Sequence, residues 1–255
     1  MAIALSLHPP CNSLPMDSKT HKLDDVLDEQ QRYYSARAAE YDDFWFRDGR
    51  YDCGEAENRL WFEQMVELQA VVERAGLTGD VLELAGGTGI WTERLAARAE
   101  RLTVLDGSQE MLSINGKRLE RQGLVHKVRY RQADLFEWQP EREFDGVFFG
   151  FWLSHVPHER LDRFMKVVSA AVRAGGTLVL VDNRRHPPMN SADQPPSTDG
   201  GEVITRQLND GRAFQVIKRY FEPHELEELL AEHGFQADAA TTRSYFVYCV
   251  ARRLR

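Results

Sequence analysis

The sequence predicts an α/β fold: an open, mostly parallel sheet with helices on both faces. Three observations carry this. Short apolar runs alternate with helical stretches through the middle of the chain. The first run turns through Ala85-Gly86-Gly87-Thr88-Gly89 into a helix, and small residues there let backbone approach a ligand. Acidic residues stand at the ends of three successive runs: Glu83, Asp106 and Asp134.

Taken in order, residues 1–22 carry Pro9, Pro10, Pro15 and several small polar residues, and are expected to form a flexible tail. Residues 23–75 are expected to be helical, with an aromatic cluster, Phe44-Trp45-Phe46, between two helices. Gly76 and Gly79 end the second. The sheet-and-helix core fills 76–255. Its strands fall at 81–86, 102–106, 128–134, 144–151 and 177–182, with helices at 91–99, 109–122 and 159–173. Residues 183–220 form an insertion after the fifth strand. It begins with a proline-rich loop and ends in a hairpin around Asn209-Asp210-Gly211. Pro223 starts a short helix, Gly234 ends it, and two closing strands bring the sheet to seven.

Composition excludes several classes. Charged residues make up 28% and apolar residues 42%, so the chain is neither fibrous nor wholly disordered. No run approaches the ~20 apolar residues that a membrane span needs. The formal charge of -8 repels phosphate backbones, so no nucleic-acid partner is expected. The three cysteines are odd in number and widely spaced, which fits a reducing cytoplasm and signals neither disulfides nor zinc.

The glycine turn points to a ligand at the carboxyl ends of the strands. A dinucleotide loop presents a phosphate-binding helix end, but here a carboxylate, Glu83, stands just before the turn. It repels a pyrophosphate and suits an amino group, so a cationic, amine-bearing cofactor is expected. Asp106 is placed to accept from both hydroxyls of a ribose, and Asp134 from an adenine amine. A dinucleotide-dependent dehydrogenase and a non-catalytic cofactor-binding scaffold are the rival classes.

With these residues in place, the chain resembles the class I S-adenosylmethionine-dependent methyltransferases over about residues 33–176. Glu83-Leu84-Ala85-Gly86-Gly87-Thr88-Gly89 resembles that family's (D/E)xGxGxG motif, with Ala85 at the first glycine. Alanine is a mild departure if its φ is negative. Leu102-Thr103-Val104-Leu105-Asp106-Gly107-Ser108 resembles the ribose segment, and Ala133-Asp134-Leu135-Phe136 the adenine segment. Tyr34-(x2)-Arg37-Ala38-(x2)-Tyr41-Asp42 resembles the N-terminal helix of the ubiquinone/menaquinone C-methyltransferase-like branch. The resemblance implies a Rossmann-like core, S-adenosyl-L-methionine as cofactor and an N-terminal lid over it. It implies cofactor contacts from Tyr34, Arg37, Tyr41, Glu83, Ala85, Gly87, Gly89, Asp106, Gly107, Ser108, Met111, Asp134, Leu135, Gly150 and Phe151.

Methyl transfer needs mainly positioning, because the sulfonium is already activated. A base is needed only where the acceptor must lose a proton. His155, after the fourth strand, is the candidate base, and Tyr33 a second catalytic candidate. Asp182-Asn183 matches the place of a magnesium pair in catechol-type enzymes, but the fourth strand ends without an oxygen ligand, so no metal is expected. The aromatic cluster, Trp61 and Trp152 suggest a small, partly apolar acceptor, aromatic or heteroaromatic, with methylation on oxygen or nitrogen favoured over carbon.

Overall fold

The structure, a computed structural model, describes residues 18–185 and 202–255. Three helices lead into the core: α1 (Ser18–Arg37), α2 (Tyr41–Phe46) and α3 (Glu55–Arg74). The core then alternates β1 (Asp80–Leu84), α4 (Thr92–Arg98), β2 (Arg101–Asp106), α5 (Gln109–Arg121), β3 (Val128–Gln132), β4 (Phe144–Gly150), α6 (His158–Ala171) and β5 (Val172–Asn183). A hairpin of β6 (Val203–Gln207) and β7 (Ala213–Ile217) follows, then α7 (Pro223–Glu232), β8 (Phe235–Thr241) and β9 (Phe246–Arg253).

The seven-stranded sheet runs β3-β2-β1-β4-β5-β9-β8. β1 pairs in parallel with both β2 and β4, and β2 with β3 and β4 with β5 likewise. β9 is the antiparallel member, between β5 and β8. Every residue of β1 is buried, because helices cover both faces. Leu82 and Leu84 face one core with β4, β5 and α6, while Val81 faces the other with α3 and α4. The chain moves outward from β1 to β3 and then crosses to β4 on the other side. That switch opens a crevice above the carboxyl ends of β1 and β4.

Local chemistry sets the element ends. The Ser108 hydroxyl caps α5 by accepting from the Met111 N–H at 3.2 Å. Glu222 and Glu225 form a capping box around Pro223 at the start of α7.

Two expectations change, and a third falls outside the described residues. The helix expected from residue 23 starts at Ser18, which shortens the expected tail of residues 1–22, and residues 1–17 lie outside the described chain. Most of the expected loop, residues 186–201 with His186, also lies outside it. The third strand stops at Gln132, so Asp134 belongs to the following turn, where its Oδ1 accepts from the Phe136 N–H at 2.8 Å.

The α1 helix and the hairpin close the crevice together. Gln30 donates to the His155 carbonyl at 3.1 Å and accepts from the Ile217 N–H at 2.9 Å, so one buried amide joins α1, the segment after β4 and β7. At the hairpin tip, Asn209 accepts from Arg50 and donates to Glu40.

Candidate active site

The turn after β1 is held by its neighbours. Gly86 N–H donates to the Leu105 carbonyl at 3.0 Å. The Asn115 amide of α5 donates to the carbonyls of Gly86 and Gly87 and, at 2.7 Å, to the Thr92 hydroxyl. A Cβ on Gly89 would lie 2.7 Å from Asn115 Oδ1, so only glycine fits there. At Ala85 the φ is +55°, so the alanine is not the mild departure that a negative φ would make it. A residue with a Cβ therefore occupies left-handed backbone where glycine is preferred, a strain of order 1–2 kcal/mol.

Asp106, at the end of β2, is partly open to a cavity of about 650 Å³. Its two oxygens accept from Gly87 N–H and Ser108 N–H, each at 2.8 Å. Burial pushes this carboxyl up to about 6 against those two hydrogen bonds. Each oxygen keeps a further lone-pair direction for a ligand hydroxyl. The same cavity is walled by Tyr34, Tyr41, Ala85, Gly87, Gly107, Met111, Asp134, Leu135, Gly150 and Phe151 among the expected cofactor residues. Its polar floor at Asp106 and its apolar flank at Met111, Leu135 and Phe136 fit a nucleoside. Three expected residues lie behind this wall: Gly89 packs on Asn115, Ser108 caps α5, and Glu83 is buried.

Glu83 was expected to face an amino group. It is 2% exposed and lies outside the cavity wall, because alternation along β1 turns it toward α4 and α5, away from Leu82 and Leu84. Burial raises its carboxyl to about 8, with Thr92 hydrogen bonding opposing and the Asp106 charge adding to the rise. Its Oε2 has no partner.

A second, smaller chamber of about 70 Å³ adjoins the first, and Tyr34, Tyr41, Phe151 and His155 belong to both walls. Arg37 and Tyr33, expected at the cofactor and in catalysis, stand in this smaller chamber. Phe44 and Trp45 also line it, whereas Trp61 is core, Phe46 is exposed, and Trp152 lines the larger cavity. His155 Nδ1 lies 2.6 Å from the Ile217 carbonyl, which only accepts, so Nδ1 carries the proton. Nε2 then accepts from the Tyr34 hydroxyl at 2.7 Å. Burial, with Lys218 nearby, holds His155 well below the usual histidine range, so the ring is neutral.

Sequence reasoning missed the cations of this chamber: Arg184 after β5, Arg206 on β6 and Lys218 after β7. It also missed α1 residues Gln30 and Gln31 on the larger cavity. The one available signal was the run of basic residues flanking the insertion, Arg184-Arg185 and Lys218-Arg219. The Asp182 carboxylate accepts from Ser154 N–H at 3.0 Å and Asn183 N–H at 2.7 Å and pairs with Lys218 at 3.6 Å, so it is already engaged. Among the described residues, no three His, Cys, Asp or Glu side chains are grouped to hold a metal.

Comparison with known proteins agrees with this geometry. Residues 81–176 match the methyltransferase domain family. The chain is 30% identical over 195 residues to the ubiquinone/menaquinone biosynthesis C-methyltransferase UbiE of Azotobacter vinelandii, covering 70% of this chain and 73% of that one. With UbiE of Hydrogenovibrio crunogenus it is 29% identical over 130 residues, about half of either chain. Among solved structures it is similar to DhpI in complex with SAM and HEP, at TM-score 0.72 and 36% identity, covering 89% of this chain and 97% of that one. DhpI has also been solved with SAH. A methyltransferase from Clostridium acetobutylicum shares the fold at TM-score 0.61 and 20% identity, covering 87% of this chain and 99% of that one. Sheet order, glycine turn, the acid that ends β2 and these relatives agree: the chain belongs to the class I S-adenosylmethionine-dependent methyltransferases.

Proposed function

We propose that this enzyme transfers the methyl group of S-adenosylmethionine to an oxygen of a small acceptor seated in the smaller chamber. One observation carries the reading: Tyr34, Tyr41, Phe151 and His155 wall both chambers, so ligands in the two would meet across the same four side chains. The cofactor supplies a methyl carbon already activated on a sulfonium. Asp106 would hold its ribose, Met111 and Leu135 the adenine faces, and Asp134 the adenine amine. Gly87, Gly107 and Gly150 would leave room for its backbone-facing atoms.

The protein's own residues orient the acceptor and exclude water. Tyr34 keeps its proton, because burial raises its phenol well above the usual range. His155 is committed at both nitrogens and acts by fixing that phenol. A carbon nucleophile on an aromatic ring must lose a proton to a base, and this ring is poorly placed to take one. The UbiE relatives are named for C-methylation, which makes carbon transfer the second reading. The cations around the smaller chamber disfavour a protonated amine, and its size favours a small molecule over nucleic acid or membrane lipid. Because Asp182 is tied to Lys218, transfer is proposed to need no divalent ion. Isotope-labelled S-adenosylmethionine offered with matched small acids, alcohols, phenols and amines, with EDTA present, tests this. NMR should find the label on oxygen. Label on a ring carbon, or activity that returns only on adding Mg²⁺, would overturn the corresponding part.

A further inference from the structure

We propose that the acceptor enters the smaller chamber as an oxyanion, and that an oxygen of that oxyanion receives the methyl group. This rests on the methyltransferase reading above. Four cations from four separate elements meet here: Arg37 at the end of α1, Arg184 after β5, Arg206 on β6 and Lys218 after β7. Residues so distant in sequence do not form a solvated charge run; the fold gathers them.

The partners of Arg37 and Arg184 leave the charge of these two incompletely answered. Arg37 donates to the neutral Tyr51 hydroxyl at 3.1 Å, and its guanidinium lies 4.9–5.9 Å from the ring centres of Tyr33, Tyr41 and Tyr51. Ring faces favour a cation but do not cancel its charge. Arg184 Nε is buried without a partner among the described residues, and the Glu222 carboxylate lies 3.9 Å from its guanidinium. Lys218, 8% exposed, is directly opposed by a buried carboxylate, Asp182. Unpaired charge is costly in a partly buried site, and a ligand of opposite sign offsets that cost. Guanidinium forks match the planar or tetrahedral oxygens of a carboxylate or a phosphorus oxyanion. At about 70 Å³ the chamber has room for a group of roughly five water-sized atoms.

The same inference accounts for the idle histidine. An oxyanion arrives already deprotonated, so no base is required. The acceptor oxygen forms the new bond to the methyl carbon as the carbon–sulfur bond breaks. Its electron pair stays on sulfur, the sulfonium becomes the thioether of S-adenosylhomocysteine, and no proton moves.

The test is calorimetry on the full chain saturated with S-adenosylhomocysteine, titrated separately with inorganic phosphate and with sodium acetate. At least one anion should bind, and which one does so separates the phosphorus from the carboxylate class. Arg37→Gln and Arg184→Gln should each weaken it by about tenfold or more. Arg37→Lys should keep more of the affinity than Arg37→Gln. Arg184→Gln disturbs no aromatic stack, so it serves where Arg37→Gln fails to fold. S-adenosylhomocysteine affinity should stay within about threefold in all variants. If S-adenosylhomocysteine binds but neither anion does, or the anions bind the Gln variants equally well, the oxyanion inference is wrong while the methyltransferase reading stands. Failure of S-adenosylhomocysteine itself to bind would overturn both.

Discussion

The Tyr34 hydroxyl donates to His155 Nε2 at 2.7 Å, while His155 Nδ1–H is spent on the Ile217 carbonyl at 2.6 Å. The pair therefore behaves as one unit. Tyr34→Phe and His155→Asn should each lower kcat/KM by about tenfold, and the double variant should lose little more, as expected for groups that act together. Fully multiplicative losses would make the two independent. The pH dependence separates this role from that of a base. Native His155 resists protonation, whereas the unfolded chain takes up a proton near pH 6.5. Its contribution to stability is therefore present above that pH and lost as pH falls below it. Thermal unfolding of the wild type should decline more steeply than that of His155→Asn below about pH 6.5.

Asp106 carries the second prediction. Its raised pKa of about 6 describes the ligand-free protein. The ribose hydroxyls proposed to donate to it would favour the ionised form, so binding should release protons between about pH 5 and 7, and affinity should rise with pH over that window. Calorimetry in buffers of different ionisation enthalpy reads the released protons directly. Asp106→Ala should weaken S-adenosylhomocysteine at least about tenfold, since charge-assisted hydrogen bonds contribute roughly 1.5–3 kcal/mol each. An unchanged, pH-independent affinity would place the ribose elsewhere.

Much of the fold was legible because local rules dictate it. Apolar runs of strand length, glycines that end helices, such as Gly76 and Gly234, and a proline that starts one, Pro223, each leave a mark at their own positions. Asp106 was legible for the same reason: the acid, the strand before it and the helix after it are contiguous. The smaller chamber was not. Its wall depends on the hairpin docking on α1, through hydrogen bonds such as Ile217 N–H to Gln30, residues 187 apart in the chain. Nothing local to Arg206 or Lys218 says which wall it will join. Glu83 misled for a related reason. A strand end offers two faces, and which one meets the cavity is decided by helices packed later in the chain.

Ala85 gives a stability prediction that the glycine motif alone does not contain. Its φ of +55° strains an alanine, yet glycine there gains freedom in the unfolded chain. Relief of the strain should exceed the entropic loss, so Ala85→Gly should stabilise the protein by about 0.5–1 kcal/mol and raise its Tm by a few degrees. A lower Tm would mean that the methyl group's packing against the neighbouring core outweighs the strain.

The last prediction concerns how the N-terminal segment opens. Tyr34 and Tyr41 wall the larger cavity, so the chain between them forms part of its enclosure. That chain is fastened at Asp42, whose carboxylate accepts from the Thr88 hydroxyl in the glycine turn and pairs with Arg118 of α5. Arg118 Nε in turn donates to the Thr88 carbonyl at 3.0 Å. The latch therefore joins α2, the turn and α5 through one partly buried carboxylate. A contact of this kind contributes on the order of 1–3 kcal/mol, enough to hold the segment closed for most of the time while still letting it open. Asp42→Asn should raise hydrogen exchange across residues 33–46 in the free protein and speed S-adenosylhomocysteine dissociation by about threefold to tenfold. In the wild type, the same residues should exchange more slowly once S-adenosylhomocysteine is bound. Exchange that is equal with and without ligand, in both proteins, would show that Asp42 merely packs the segment and that ligands enter by another route.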